Sequence, residues 1–190
     1  MSVWELPTSL TVGGVGYSIR SDFRAVLDIL QFFNDGDYEM DERCLICLTI
    51  LYEDFDSMDS SLYEEALLKA IDFIDAGMKG DEKQPKPSLM DWEQDAPIII
   101  PAINKVSGCE IRAVPYVHWW TFLGYYMEIG ESLYTTVLGI RSKRAKHKKL
   151  EKYEQEFYKE NRAIVQLKRK ETEAERRRKE ELNALFGIKR

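Results

Sequence analysis

Residues 116–126 read Tyr-Val-His-Trp-Trp-Thr-Phe-Leu-Gly-Tyr-Tyr, and this aromatic stretch predicts a helix over residues 115–130. Trp119 and Trp120 point about 100° apart on a helix, so both are buried only where two other elements flank it. A central core helix is therefore one interpretation. The alternative is an aromatic surface for a partner helix, because Trp and Tyr are common in binding hot spots. His118 is predicted to be a hydrogen-bonded core histidine.

Apolar residues at helical spacing predict further helices on both sides of this stretch. They run from Ser21 to Asn34, then over residues 41–55, 59–76, 91–106 and 131–140. The helix at 41–55 is apolar nearly all round and is expected to be central. Ser21 is predicted to cap the first helix, and Ser61 with Glu64 is predicted to form a capping box for the third, which Gly77 ends. Pro97 and Pro101 are expected to kink or split the fourth.

Residues 8–20 predict a β-hairpin. Leu10, Val12, Val15 and Tyr17 alternate with smaller or polar residues, and Gly13-Gly14 supplies the positive φ angles of a two-residue loop. The register pairs Val12 with Val15 and Leu10 with Tyr17, which places all four on one face. That face is expected to pack on helices, because an isolated hairpin is only marginally stable.

Composition divides the chain at residue 141. Residues 1–140 hold 24 acidic and 9 basic side chains, whereas residues 141–190 hold 9 and 18. We therefore predict a mainly α acidic domain, residues 1–140, with the N-terminal hairpin and an exposed loop at 78–90, followed by a basic extension, residues 141–190. The extension has a sparse apolar stripe and reads as a long charged helix or as a tail that is disordered until bound.

The charge distribution also bears on partners. An acidic body repels nucleic acid and suits basic partners. The extension could bind nucleic acid through Arg176-Arg177-Arg178-Lys179 or bind an acidic protein surface, including its own body. Interleaved glutamates cancel much of the attraction to phosphate, so a nucleic-acid-binding regulator is the less favoured interpretation. Leu185 and Phe186 form a small apolar terminus that could dock into a groove of a partner.

The three cysteines indicate a reduced, cytosolic protein, since secreted domains of this size usually pair their cysteines. The N-terminus lacks the basic and apolar segments of a signal peptide, and the longest apolar stretches are too short to span a bilayer. Cys44 and Cys47 have redox-pair spacing, but they lie in an apolar helical run beside two acidic residues and are predicted to be core residues. With Cys109 and the two histidines at irregular spacing, no zinc site is expected.

Other catalytic and ligand motifs are also not matched. Residues 54–59 begin like a calcium loop, but Asp59 stands where that loop needs glycine, and a turn between helices is the better interpretation. Gly13-Gly14-Val15-Gly16 lacks the Lys-Ser/Thr of a phosphate loop. We therefore expect a protein that is not an enzyme, with no catalytic residue, no metal and no cofactor.

Three segments together resemble the phage gene-product-fifteen family. They are Asp91-Trp92-Glu93-Gln94-Asp95-Ala96, then His118-Trp119-Trp120-Thr121-Phe122, then Ile140-Arg141-Ser142. Members of that family show Asp-Phe-Glu-Gln-Asp-Ala, Leu-His-Trp-Trp-Lys-Phe and Ile-Arg-x-Arg in the same order and at similar spacing. The resemblance covers roughly residues 1–160. This chain departs from it with Trp92 in place of Phe, with two prolines in the middle helix and with a longer extension beyond Tyr158.

The resemblance implies a function in tailed phages and prophages of Gram-positive bacteria. The family's genes lie between those of the major tail protein and the tape-measure protein, where long-tailed phages encode tail-assembly chaperones. It implies a non-enzymatic chaperone that acts in the host bacterial cytoplasm, binds the tape-measure and tail-tube proteins, and is absent from the mature virion. A homo-oligomer or a paired second chaperone is also possible. The alternative from the same resemblance is a structural tail or connector component that stays in the virion.

The predicted partner surface follows from the residue pattern and from the family resemblance together. An aromatic groove on the acidic body could cover apolar stripes of the tape measure by helix-in-groove packing. The basic extension could bind a tube subunit or a neighbouring copy. The predicted partner-binding residues are Trp92, Trp119, Trp120, Phe122, Tyr126, Leu185 and Phe186.

Overall fold

The computed structural model describes residues 4–77 and 89–168, together with residues 172, 173, 175, 177 and 178. In these residues a two-stranded hairpin is followed by helices, so the predicted mainly α fold with an N-terminal hairpin is confirmed. The strands are β1 Ser9–Val12 and β2 Val15–Ser18. The α-helices are α1 Phe23–Phe33, α2 Met40–Leu51, α3 Tyr63–Ile74, α4 Ala96–Ser107, α5 Trp119–Met127, α6 Leu133–Ala145, α7 Lys152–Glu160 and α8 Arg162–Val165. Among the described residues no helix is long and apolar enough to cross a membrane.

The hairpin has the predicted turn and register. Gly13 and Gly14 adopt φ angles of +57° and +80°, and Val12 pairs with Val15. Val12 is fully buried, and the Gly13 N–H donates to Glu65 Oε2 of α3 at 3.1 Å, so the hairpin packs on that helix. One part of the prediction is wrong: Val15 is 55% exposed and does not join the core.

The first helix begins one residue later than predicted. Asp22 is its cap: Oδ1 accepts from the Arg24 N–H at 3.0 Å, while Oδ2 accepts from the Val117 N–H at 2.9 Å. Ser21 instead shares a 2.8 Å hydrogen bond with the Tyr116 hydroxyl. A carboxylate can accept from two amides at once, and here one of them belongs to the segment that leads into α5.

Two further boundaries differ from the predictions. Helix α2 ends at Leu51, where Arg20 donates to the carbonyls of Thr49, Ile50 and Tyr52 at 2.8–3.2 Å. The predicted Ser61–Glu64 capping box is not formed, because Asp59 Oδ1 accepts from the Ser61 N–H at 2.8 Å and starts a short 3-10 turn before α3. The residues between α2 and α3 are therefore a turn between helices, as predicted for residues 54–59.

Helix α4 runs unbroken from Ala96 to Ser107, so the prolines do not split it, and a kink at the prolines stays a prediction. Pro97 lies in the first turn, where its missing N–H removes no intrahelical bond. Pro101 lies inside the helix on its exposed side, and the helix continues past it.

The compositional boundary at residue 141 does not coincide with the end of an element. Helix α6 spans it, and α7 and α8 then return to the body, where Val165 is 1% exposed. Over residues 152–165 these two short helices take the place of one long helix. Tyr153 of the predicted apolar stripe is 64% exposed, whereas Phe157 packs against the core. Farther along, the Glu173 N–H donates to Asp37 Oδ1 at 2.6 Å, which brings the extension to the turn after α1.

Candidate functional site

The three sequence segments that carry the family resemblance contact one another in pairs, since Trp92 of the first lies against Trp119 of the second and Asp95 of the first binds Arg141 of the third. The second segment begins helix α5. His118 is the N-cap of this helix: its Nδ1 accepts from the Trp120 N–H at 3.1 Å, so Nε2 carries the proton and donates to the Pro7 carbonyl at 2.9 Å. The side chain is 3% exposed. The prediction of a hydrogen-bonded core histidine is confirmed.

The two adjacent indoles close the C-terminal end of α3. Trp119 Nε1 donates to the Ile74 carbonyl at 2.7 Å, and Trp120 Nε1 donates to the Phe73 carbonyl at 2.8 Å. The last carbonyls of a helix have no partner within that helix, so side-chain donors there remove an unsatisfied polar group. Trp119 and Trp120 thus reach the same helix end from two faces of α5.

Aromatic rings fill the space beside this junction. Phe122 stacks on Phe23 with a centroid distance of 4.3 Å and on Trp119 at 5.9 Å. Trp92 lies against Tyr126 at 4.9 Å and against Trp119 at 6.4 Å. The tryptophan found where the family usually has Phe therefore belongs to the aromatic core cluster.

A buried ion pair joins the other two segments. Arg141 donates to both oxygens of Asp95, at 2.6 and 2.8 Å, and their side chains are 7% and 2% exposed. The remaining donors of Arg141 reach the carbonyls of Leu89, Ile164 and Val165 at 3.0, 2.7 and 2.8 Å. All five N–H groups of the guanidinium therefore have acceptors.

The remaining polar residues of the first segment position the backbone. Asp91 Oδ1 accepts from the N–H groups of Glu93 and Gln94 at 3.0 and 2.8 Å, so the acidic start is a cap, as predicted, although of a turn before α4. The Gln94 side chain exchanges two hydrogen bonds with the backbone of Lys168, at 2.8 and 2.9 Å. Gln94 thereby holds the extension at Lys168 against the body.

These contacts decide between the two interpretations of the aromatic helix. Trp119 and Phe122 are 2% and 3% exposed and offer almost no surface to a partner in this conformation, so the core interpretation holds for them. Trp92, Trp120 and Tyr126 are half-buried, and partner binding through them stays a prediction. Leu185 and Phe186 lie outside the described residues.

Of the two cysteines predicted to be core residues, Cys47 is one, whereas Cys44 is only half-buried, so the prediction is wrong for Cys44. Cys47 is fully buried, and this burial, followed by the nearby Cys44, raises the pKa of its thiol to about 12. A thiol with such a pKa is a poor nucleophile at neutral pH. Among the described residues, no group of three or more His, Cys, Asp and Glu side chains could hold a metal ion.

An open apolar groove between α2 and α3 was not predicted from the sequence. We call it the α2–α3 groove; it encloses about 450 Å³ and is lined by Asp41, Glu42, Cys44, Leu45, Leu48, Tyr63, Glu64 and Leu67. The sequence did contain a signal for an exposed apolar surface, because α2 is apolar on nearly every side. Such a helix was interpreted as central, and the sequence does not show that none of the described elements covers its groove side.

The comparisons with known proteins agree with the three ordered segments. The family model described as Bacteriophage Gp15 protein matches residues 4–167. The searches of curated proteins and of solved structures gave no match. Because the family model covers most of the chain, including all three segments, the chain belongs to the bacteriophage Gp15 protein family.

Proposed function

We propose that this phage protein is a non-enzymatic tail-assembly chaperone that binds the tape-measure protein and promotes assembly of the tail tube around it. Membership of the Gp15 family is the observation that carries the proposal, through the gene position described above for that family. That position, between the major tail protein and the tape measure, is where chaperones of tail assembly are encoded.

The physical requirement on such a chaperone is reversible coverage of apolar helix. A tape measure is a very long chain with amphipathic stretches, and such stretches aggregate when their apolar sides face water. The acidic body carries an apolar groove open to solvent, which supports this function. Binding by burial of a limited apolar area is weak enough for polymerising tube subunits to displace the chaperone.

Co-expression with the tape-measure protein tests the proposal. We expect the soluble fraction of the tape measure to rise and the two proteins to co-purify, relative to co-expression with an empty vector. If the tape measure is equally insoluble with and without this chain, and does not co-purify with it, the proposal is wrong.

A second measurement separates a chaperone from a structural tail or connector component. Mass spectrometry of purified virions should detect the tube and tape-measure proteins but not this chain. Stoichiometric amounts in the particle would instead identify a component of the tail. The chaperone is proposed to act in the host bacterial cytoplasm, before the tail is complete.

A further inference from the structure

We infer that the α2–α3 groove binds one amphipathic helix of a partner protein, with the apolar side of that helix on the groove and with Lys or Arg along its edges. The chemistry of this helix follows from the groove alone. Only its assignment to the tape measure rests on the proposed function.

The apolar area extends beyond the lining of the groove. Leu45 is 48% exposed, and Leu68 and Ile71, on the adjoining side of α3, are 60% and 41% exposed. Met40 at the start of α2 is 62% exposed. Together with the groove floor formed by Leu48, Tyr63 and Leu67, these side chains give α2 and α3 several solvent-exposed apolar residues, and exposed apolar surface of this kind is typical of an interaction surface.

The charges at the edge favour a basic occupant. Asp41, Glu42 and Glu64 line the groove, and its lining contains no Lys or Arg. The nearest basic side chain of α2, Arg43, points to α1, where it donates to the carbonyls of Tyr38 and Phe33 at 2.8 and 3.1 Å. Lys69 follows Glu64 by five residues, which on a helix places it well away from the groove side of α3. An acidic helix would meet only like charge here.

A helix fits this surface better than an extended strand. Binding of a strand depends on free backbone donors and acceptors at a sheet edge, whereas both walls of the groove are helices that use these groups internally. What the groove offers is side-chain packing along a channel between two helices. Residues at i, i+3 or i+4 and i+7 of a third helix match such a channel.

The test uses the full-length protein and a synthetic 18-residue helical peptide with Leu on one side and Lys on the other. Binding is measured by fluorescence anisotropy for the wild type, for Leu45→Lys and for the matched control Leu133→Lys. Leu133 is 46% exposed at the start of α6, so both variants exchange a half-exposed leucine for a cation. We expect Leu45→Lys to weaken binding by about tenfold or more and Leu133→Lys by less than about twofold. A peptide with Glu in place of Lys should not bind.

Cys44 provides an independent location of the bound peptide, since it lines the groove. In a Cys109→Ser background the exposed third thiol is removed, and Cys47 is buried. The Leu/Lys peptide should slow labelling of Cys44 by a maleimide, whereas the Leu/Glu peptide should not. Unchanged labelling under saturating Leu/Lys peptide would overturn the inference.

Repeating the co-purification with the tape measure for the same two variants separates the groove inference from the chaperone function. If only Leu45→Lys fails to co-purify with the tape measure, both the groove inference and the chaperone function are supported. If wild type and Leu45→Lys retain the tape measure equally, the assignment of the groove to the tape measure is wrong and the chaperone function stands. If the peptide binds at Cys44 but the tape measure does not co-purify with the wild type, the groove stands and the chaperone function falls. If Leu45→Lys instead dissociates a dimer of the free protein, the occupant is a second copy, and the inference is wrong.

Discussion

Arg141 joins its own helix α6 to the segment before α4 and to α8. Placing a guanidinium and a carboxylate in a buried site costs several kcal/mol of desolvation for each charge. The bidentate pair with Asp95 and the three carbonyl acceptors offset this cost by satisfying every donor of the arginine. Removing one partner leaves the other charge buried without compensation.

Asp95→Asn should therefore destabilise the protein by about 3–5 kcal/mol, because it removes the negative charge while nearly keeping the shape of the side chain. Urea unfolding followed by circular dichroism measures the loss. The control is Asp72→Asn, on the exposed side of α3, where a change within about 0.5 kcal/mol is expected. Equal stabilities of the two variants would contradict the structural importance of the buried pair.

The roles of some single residues could be predicted from the sequence, and the roles of others could not. The cap at Asp91 follows from local spacing, since its partner Gln94 lies three residues away. The core position of His118 was predicted from its place in the aromatic helix, but its hydrogen bond to the Pro7 carbonyl spans 111 residues. The Asp95–Arg141 pair spans 46 residues, and nothing local selects one carboxylate among the 33 acidic residues of the chain. Only the resemblance placed both residues in named segments, without indicating that they touch.

Helices were predicted well as elements and less well at their ends. Apolar spacing indicates a helix because it reports which side is buried. The ends depend on which of several neighbouring polar side chains becomes the cap. Asp22 replaces Ser21 because it also holds the Val117 amide, and Asp59 replaces Ser61. The closure of α3 by the indoles of α5 is likewise a long-range contact that the Gly77 stop signal does not show.

Replacing either indole should loosen the end of α3. Trp119→Phe and Trp120→Phe each remove an N–H donor from a carbonyl of the last turn and are expected to cost about 1–3 kcal/mol. Hydrogen exchange should increase most at the amides of residues 70–77. Trp4→Phe is the matched control, because Trp4 is 92% exposed, and its exchange pattern should remain that of the wild type. An unchanged α3 in the two core variants would show that these hydrogen bonds do not hold the helix end.

The docking of α7 on α6 should depend on pH. Lys143 donates to both oxygens of Glu154, at 2.7 and 2.8 Å, and this interaction, followed by the Glu151 N–H, lowers the pKa of the Glu154 carboxyl from its ordinary value of 4.5. A lowered pKa in the folded state means that the pair stabilises the protein above about pH 4.5 and that this stability is lost as the pH falls through the lower value.

Glu154→Gln should therefore melt below the wild type at pH 7, and the difference should shrink as the pH falls below about 4.5. Thermal unfolding at several pH values between 3 and 7 measures both midpoints. Glu156→Gln, on the exposed side of α7, should follow the wild type throughout. A difference that stays constant with pH would show that the charge of Glu154 is not what matters.

At the scale of the whole molecule, composition and packing divide the chain differently. The change from an acidic to a basic composition at residue 141 describes what faces solvent. Packing continues past this point, because α8 contributes buried Val165 and because the carbonyls of residues 164 and 165 accept from Arg141. The fold class was predictable from the spacing of apolar residues. The packing of the charged extension on the body was not predictable, since few of its side chains are apolar.

Truncation should reveal which residues the body requires. A chain of residues 1–150 lacks α7 and α8 and leaves Arg141 with two fewer acceptors, so we expect it to be less stable than residues 1–168 by more than about 3 kcal/mol. Both chains are compared by urea unfolding at the same protein concentration. Similar midpoints would show that the body folds independently of α7 and α8.

The hydrogen bonds of Arg141 also limit what can be concluded when another member of this family shares the three segments. Every donor of Arg141 is committed inside its own chain, and the two indoles of α5 are committed to α3. Side chains used in this way have no hydrogen-bonding capacity left with which to choose a binding partner. A match to these segments therefore identifies a common scaffold. We expect residues at other positions on the protein surface to determine which partner the protein of an individual phage binds.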